Sequence, residues 1–240
     1  MKAVVLAAGL GTRLGPLTED RPKCMLPVRG RPLIGHTLEL LRRHEVGDVF
    51  INLYWHPDLI EEYVGDGDAF GLRIRYLREN QLSGTAGPLR KLADELAGER
   101  FLLLYGDNLT DLDLTGLVRF HDQSGAELTL ALHREDRADL PHKSVVDTAA
   151  DGRVIRFEEK PSSTDLISLW ASAGIHVIEP SVIQIIPEEV PYDIGHDVIP
   201  ALLRDGRRVF GLKAAFYLVD IGTPQGYARA QADLSGPRVS

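Results

Sequence analysis

The chain contains few of the features that mark secreted or membrane proteins. Cys24 is its only cysteine, so no intramolecular disulfide can form. No uninterrupted apolar stretch reaches the roughly 20 residues that a membrane-spanning helix needs. The first residues are already strand-like and lack the charged, apolar and small-residue order of a secretory leader. These absences predict a protein of the reducing cytoplasm.

Positive charge is also scarce, because 27 Lys and Arg residues face 35 Asp and Glu residues and give a formal net charge of −8. This balance argues against a nucleic-acid-binding surface, although a local cationic site for a small anion remains compatible with it. The histidines show no His-Glu-x-x-His spacing, and no Gly-x-Ser-x-Gly elbow signals a Ser-His-Asp triad. We therefore expect a small phosphate as the partner, and neither nucleic acid nor membrane.

The order of apolar segments indicates the fold class. At 240 residues the chain is long enough for a sizeable core, and we expect one α/β domain. Apolar strands at 3–6 and 49–53 alternate with an amphipathic helix at 32–45, which is the rhythm of a parallel sheet. Later in the chain, Asp151-Gly152 joins two short strands in a pattern typical of a β-hairpin.

A glycine-rich stretch with two cations follows the first strand. It reads Leu-Ala-Ala-Gly-Leu-Gly-Thr-Arg-Leu-Gly over residues 6–15 and continues to Lys23. Glycines let main-chain N–H groups approach an anion, and Arg13 and Lys23 supply positive charge at the end of a strand, where open α/β sheets bind ligands. The stretch is not a dinucleotide fingerprint, because Leu14 stands where the third glycine is required. It predicts phosphate binding.

Four further short motifs follow in the chain. They are Gly-Thr-Ala-Gly at 84–87, Gly-Asp-Asn at 106–108, Glu-Glu-Lys-Pro at 158–161 and Asp-Ile-Gly-Thr at 220–223. Taken singly, each has an ordinary explanation as a turn, a helix cap or a surface charge cluster. Asp107 and Asp220, however, follow two different apolar strands, where carboxylate oxygens can hold a hard cation such as Mg²⁺.

Together and in this order, the motifs resemble those of the sugar-1-phosphate nucleotidylyltransferases, and the resemblance covers nearly the whole chain. In its short form the chain is similar to the guanylyltransferases that act on mannose 1-phosphate or D-glycero-D-manno-heptose 1-phosphate. Gly15 is an insertion that brings Pro16 to the place of the family's proline. The resemblance implies a Rossmann-like three-layer α/β/α nucleotidyltransferase fold with a mixed, mostly parallel central sheet. It also implies a single domain over 1–240, with a nucleotide-binding half at about 1–110, a sugar-phosphate-binding half at about 111–234 and no C-terminal β-helix.

The resemblance also implies roles for individual residues. Arg13, Lys23 and Asp107 would be catalytic, and Asp107 and Asp220 would bind Mg²⁺. The nucleotide would contact a larger set, namely Leu6, Ala8, Gly9, Gly11, Thr12, Arg13, Glu79, Gln81, Gly84, Thr85 and Asn108. The sugar phosphate would contact Glu159, Lys160, Ser172 and Gly174.

The implied reaction joins a nucleoside triphosphate, with GTP favoured, to a sugar 1-phosphate of the mannose or heptose type, and releases pyrophosphate. Thymidylyl, cytidylyl or uridylyl transfer to another hexose 1-phosphate or to a cyclitol phosphate stays open, as does assembly as a homodimer or other homo-oligomer. A non-catalytic nucleotide-sugar-binding regulatory subunit is the alternative from another class. Such a subunit could dispense with Arg13, Lys23 or an aspartate, whereas this chain has all of them.

Overall fold

The computed structural model describes residues 1–161, 166–188 and 191–233. The chain forms two compact units and passes between them several times. The first unit contains residues 1–82, 103–114 and the segment from 216 onward, and the second contains residues 83–102 and 115–215. The single domain over 1–240 stays a prediction.

The regular elements alternate along the described residues. The strands are β1 (Lys2–Leu6), β2 (Pro27–Val28), β3 (Arg31–Pro32), β4 (Asp48–Leu53), β5 (Arg73–Arg78), β6 (Phe101–Tyr105), β7 (Asn108–Thr110), β8 (Leu128–Arg134), β9 (Ser144–Thr148), β10 (Val154–Glu159), β11 (Trp170–Ile178), β12 (Val209–Lys213) and β13 (Leu218–Asp220). The helices are α1 (Leu33–Arg43), α2 (Pro57–Val64), α3 (Gly87–Lys91), α4 (Ala93–Leu96), α5 (Leu114–Ser124), α6 (Ile199–Arg204) and α7 (Pro224–Ala232).

Parallel strands form the centre of the first unit. β1 pairs with β4 and β4 pairs with β5, both in parallel, so that Leu6, Asn52 and Leu77 stand side by side. β6 lies on the other side of β1, and just beyond both strands the Gly106 N–H donates to the Leu6 carbonyl at 2.9 Å. A Cβ on residue 106 would lie 2.7 Å from that carbonyl oxygen, so only glycine permits this approach. The loops after β1 and β6 therefore start at the same edge of the sheet.

A two-stranded antiparallel ribbon completes the functional edge of the first unit. β7 pairs with β13 in a register that sets Asp220 opposite Asn108. The Ile221 N–H donates to the Asp107 carbonyl at 3.0 Å, which extends the pairing by one step. The two aspartates that the sequence singled out are thus brought to one end of the same ribbon.

Antiparallel and parallel pairing are mixed in the second unit. β8 pairs in antiparallel with β11 and in parallel with β12, and β9 pairs in antiparallel with β10 and β11. The predicted hairpin is confirmed, with Gly152 at a φ of 91° in the turn. The register of β11 against β8 shifts between Ser172 and His176, around Gly174 with a φ of 67°. These pairings and those of the first unit confirm the predicted α/β class with a mixed, mostly parallel sheet.

The sequence pattern also predicts helices over 88–96, 197–203 and 225–234, and the structure differs in detail from the first two. The helix expected over 88–96 is divided into α3 and α4 at Leu92, whose φ of −101° and ψ of 17° are not helical. The helix expected over 197–203 starts earlier, as a π-helical turn at Ile194–Val198, and continues as α6. Pro200 lacks the N–H that a regular helix would donate to residue 196, which accounts for the irregular start. Leu234, the predicted end of the last helix, lies outside the described residues.

No helix within the described ranges is both long enough and apolar enough to pass through a bilayer.

Candidate active site

Three charged side chains of the first unit converge on Gly222, and a fourth, that of Asp107, pairs with one of them. A Cβ built on this glycine would lie 2.8 Å from Asp220 Oδ1, 2.9 Å from Arg13 Nη2 and 3.5 Å from Lys23 Nζ. Lys23 also forms an ion pair with Asp107, and both of these side chains are 17% exposed. Two cations and two carboxylates therefore share one partly open site.

A common apolar cluster holds these charged residues in place. Each of them lies within three positions of a buried residue of that cluster, whose exposed fraction is 3% or less. These anchors are Leu14, Leu26, Leu109, Val219 and Ile221. Because the anchors pack against one another, the burial of apolar surface fixes the main chain from which the charged side chains project. The polar site is thus positioned by the apolar layer beneath it.

The Asp220-Ile-Gly-Thr motif serves both the site and the last helix. The Gly222 N–H donates to Asp220 Oδ1 at 2.7 Å and orients that carboxylate. Thr223 is the N-cap of α7, where its hydroxyl accepts the Gly226 N–H at 3.1 Å. Helix capping explains why residue 223 is threonine. The charged groups that approach Gly222 explain why residue 222 is glycine. The sequence motif contained Gly222, but sequence reasoning did not single it out as a site residue.

The loop after β1 adopts a tight fold around Thr18. Gly11 has a φ of 68°, and its carbonyl accepts the Thr18 hydroxyl at 3.0 Å. Gly15 has a φ of 54° and a ψ of −126°, a conformation that is essentially restricted to glycine. Between them Arg13 is exposed. Glycine is thus required on both sides of the arginine to turn the chain.

The remaining nucleotide-binding candidates of the first unit differ in exposure. Ala8 is 5% exposed, whereas Gly9 and Thr12 are exposed. Glu79 is 7% exposed and accepts a hydrogen bond from Asn52 Nδ2 at 2.8 Å, whereas Gln81 is exposed. Their contacts with a nucleotide stay predictions.

In the second unit the Gly-Thr-Ala-Gly loop is fastened to residues 192–194. The Thr85 hydroxyl donates to Asp193 Oδ1 at 2.8 Å and accepts the Ile194 N–H at 2.8 Å. Gly84 has a φ of 78°, and a Cβ there would collide with the Tyr192 carbonyl oxygen. Asp193 therefore shapes this loop, and no motif in the sequence pointed to it.

The sugar-phosphate candidates also belong to the second unit. Glu159 accepts a hydrogen bond from the Ser144 hydroxyl and lies 3.6 Å from Lys160 Nζ. Lys160 has a φ of 47°, which is rare for a residue with a side chain, and its side chain is 62% exposed. Ser172 Oγ accepts the Gly174 N–H at 3.3 Å at the bulge in β11.

Other titratable groups that the sequence offers are buried and neutral. Burial raises the pKa of Cys24 to about 12. Burial likewise lowers the pKa of His133 and of His176 to about 4. At neutral pH these residues are a thiol and two uncharged imidazoles, which fits a structural role.

The first unit offers a limited but suitable set of metal ligands. Nowhere in the described ranges do three or more His, Cys, Asp or Glu side chains group as a metal cage. Asp107 and Asp220 supply two carboxylates at the convergence around Gly222. Mg²⁺ is commonly bound through one or two carboxylates, with substrate phosphate oxygens and waters completing its octahedron. The pair fits such an ion.

Comparisons with known proteins identify the family of the chain. The nucleotidyl transferase family model matches residues 2–236. The chain is 37% identical over 235 residues to a mannose-1-phosphate guanylyltransferase of Mycobacterium tuberculosis, covering 97% of this chain and 64% of that protein. It is 35% identical over 241 residues to a UTP–glucose-1-phosphate uridylyltransferase of a Synechocystis species, covering 96% of this chain and 62% of the relative. The chain thus spans less than two thirds of the length of either relative.

The fold is also similar to solved structures. A structure described as a glucose-1-phosphate thymidylyltransferase from Bacillus anthracis, in complex with a sucrose, superposes with a TM-score of 0.88 at 25% identity. The superposition covers 99% of this chain and 98% of the other. This confirms the Rossmann-like α/β fold that the motifs implied. The chain therefore belongs to the nucleotidyl transferase family.

Proposed function

We propose that this chain transfers a nucleotidyl group from a nucleoside triphosphate to a sugar 1-phosphate. A phosphate oxygen of the sugar 1-phosphate forms a new bond to the α-phosphorus. The bond from the α-phosphorus to the bridging oxygen breaks, and pyrophosphate leaves with its electron pair. The observation that carries the proposal is the convergence of Arg13 and Lys23 on Gly222, beside two carboxylates.

Electrostatics explains why this reaction needs such a site. Two like charges about 4 Å apart repel each other by about 4 kcal/mol at an effective dielectric constant near 20. Both reactants are anions, so a catalyst must supply concentrated positive charge where they meet. The phosphate nucleophile is already ionised at neutral pH, and a general base is not required. Two cations that project from a main chain fixed by a buried apolar layer meet this demand.

We assign Arg13 to the triphosphate and to the charge that develops at the α-phosphorus, because its exposed guanidinium projects from the glycine-rich loop. Lys23 is assigned to the α-phosphate and the attacking phosphate. Its ion pair with Asp107 keeps the ammonium group over the site before substrate arrives. A phosphate competes for the same ammonium, so this ion pair is expected to rearrange on binding.

Asp107 and Asp220 would hold Mg²⁺, which when bound neutralises charge on the nucleotide phosphates and aligns them for in-line displacement. The ribbon register and the Gly222 N–H orient these carboxylates without a ligand. In the second unit, Glu159, Lys160, Ser172 and Gly174 are assigned to the sugar phosphate. We also assign to the nucleotide the other contact residues that the sequence predicts, which include Glu79, Gln81, Gly84, Thr85 and Asn108.

We favour GTP and mannose 1-phosphate, because the Mycobacterium tuberculosis relative is named a mannose-1-phosphate guanylyltransferase. A heptose 1-phosphate is included on the sequence resemblance. Uridylyl transfer to glucose 1-phosphate is the second candidate, because the Synechocystis relative bears that name at 35% identity. A cytoplasmic location and assembly into a homo-oligomer complete the proposal.

A pyrophosphate-release screen tests the proposal. Purified protein is incubated with Mg²⁺, each of five nucleoside triphosphates and each of a panel of sugar 1-phosphates. We expect the highest kcat/KM with GTP and a mannose-type or heptose-type phosphate. A maximum with UTP and glucose 1-phosphate would support the second candidate. Binding of nucleotide sugars without pyrophosphate release from any pair would instead favour the regulatory subunit.

A further inference from the structure

We infer that Asn52 and Trp55, near the carboxyl end of β4, are positioning residues that clamp both ends of the loop from which Arg13 projects. The inference rests on the proposed function in one respect, namely that Arg13 acts on phosphate. Neither residue belongs to any of the motifs in the sequence. Their place in the fold, one strand away from β1, gives them access to the loop.

Asn52 holds the start of the loop. The β1 ladder ends with Leu6 opposite Asn52, and the next N–H, that of Ala7, donates to Asn52 Oδ1 at 2.8 Å. Asn52 is 3% exposed and donates through Nδ2 to Glu79 Oε1 at 2.8 Å. Because the Ala7 N–H can only donate, it fixes which side of the Asn52 amide faces the loop. A side chain thereby replaces the next ladder bond and directs the chain out of the strand.

Trp55 holds the far side of the loop. Its Nε1–H donates to the Thr18 carbonyl at 2.9 Å. Thr18 is 4% exposed, and its hydroxyl in turn donates to the Gly11 carbonyl at 3.0 Å. A Cβ on Gly11 would lie 3.0 Å from Thr18 Cγ2, so the loop is closely folded over this threonine. Through Thr18, the hydrogen bond from Trp55 thus restrains Gly11, which lies two residues before Arg13.

The clamp matters because the segment between its two ends has little regular structure. It contains 3-10 turns that are interrupted at Gly15, where φ is 54° and ψ is −126°. Arg13 lies in this segment and is exposed. Catalysis by a positioned charge depends on the charge being held in place before the reaction, and misplacement by about 1 Å can cost about 100-fold in rate. We therefore expect loss of the clamp to lower turnover more than it lowers substrate affinity.

The decisive variant is Trp55→Phe, which retains an aromatic ring against His56 and removes the N–H donor together with part of the indole ring system. We expect kcat to fall about tenfold, with the KM for the sugar 1-phosphate changed less than about twofold and the midpoint of thermal unfolding lowered by no more than about 4 °C. Asn52→Leu is expected to reduce kcat further, but it also removes the acceptor of the buried Ala7 N–H and destabilises the fold. The matched controls are Tyr54→Phe, on the same segment, and Thr37→Val, whose buried hydroxyl has no hydrogen-bond partner in the described residues. Both controls should retain wild-type kinetics.

Amide hydrogen exchange supplies a readout that does not need turnover. Peptides covering residues 7–19 should lose protection in Trp55→Phe, and peptides from the second unit should not. If the wild-type protein releases no pyrophosphate but Trp55→Phe loses amide protection over residues 7–19, the proposed function is wrong and the inference that Asn52 and Trp55 hold the loop stands. Unchanged exchange in Trp55→Phe, or increased exchange with an unchanged kcat, would overturn the inference.

Discussion

Replacing Gly222 with alanine tests the convergence of charges most directly. The new Cβ would lie 2.8 Å from Asp220 Oδ1 and 2.9 Å from Arg13 Nη2. Favourable non-bonded contacts begin at about 3.5 Å, so the two groups would have to retreat by about 0.7 and 0.6 Å. Gly222 does not have a positive φ, and alanine can therefore adopt its backbone without strain. The perturbation is confined to the side chains that converge on this position.

The expected effect follows from that displacement. Since misplacement by about 1 Å can cost about 100-fold in rate, we expect kcat/KM to fall about 30-fold to 100-fold, or about 2 to 2.7 kcal/mol of transition-state stabilisation. The free energy of unfolding should fall by less than about 1 kcal/mol, because the carboxylate and guanidinium are partly exposed and can move.

The assay is pyrophosphate release with the best substrate pair, together with urea unfolding of the same preparations. The matched control is Gly47→Ala, also in the first unit, where the nearest atom to a new Cβ is Arg73 Nη2 at 3.4 Å. A folded Gly222→Ala protein with kcat/KM within threefold of wild type would refute the reasoning. Loss of activity with a matching loss of stability would show that the effect is global.

Three further predictions concern metal dependence, pH and thiol chemistry. Asp107→Asn and Asp220→Asn should each lose Mg²⁺-dependent turnover by at least 100-fold while retaining the wild-type circular dichroism spectrum. Burial lowers the pKa of His176 to about 4, below its usual value near 6.5. The contribution of this residue to the free energy of unfolding is therefore fully present above pH 6.5 and is lost as the pH drops toward 4. Urea titrations should show a loss of about 2 kcal/mol between pH 7 and pH 5 from this group, and a flatter profile for His176→Gln. Cys24 is 3% exposed and its pKa is raised to about 12, so it should not react with a thiol reagent at pH 8 until the protein is unfolded.

Local sequence patterns were sufficient to predict most of the helices and strands. Apolar runs such as that in β6 and the amphipathic spacing of α1 predicted these elements to within a few residues, because burial on one or both faces determines such patterns. The start of α6 was missed, because a π-helical turn has no distinct sequence period. The division of the chain into two units was also not visible, since each unit is assembled from segments that are far apart in the sequence.

The sequence by itself determined the family and the identity of the charged residues, because glycines, cations and carboxylates at fixed spacing are local requirements of phosphate chemistry. Only the tertiary structure decided that Gly222 is the point where these charges meet, since that depends on the pairing of β13 with β7 and on the shared apolar cluster. The same holds for Asn52 and Trp55, whose partners lie 45 and 37 residues earlier in the chain. A hydrogen bond over such a separation leaves no spacing pattern, because the fold brings its donor and acceptor together.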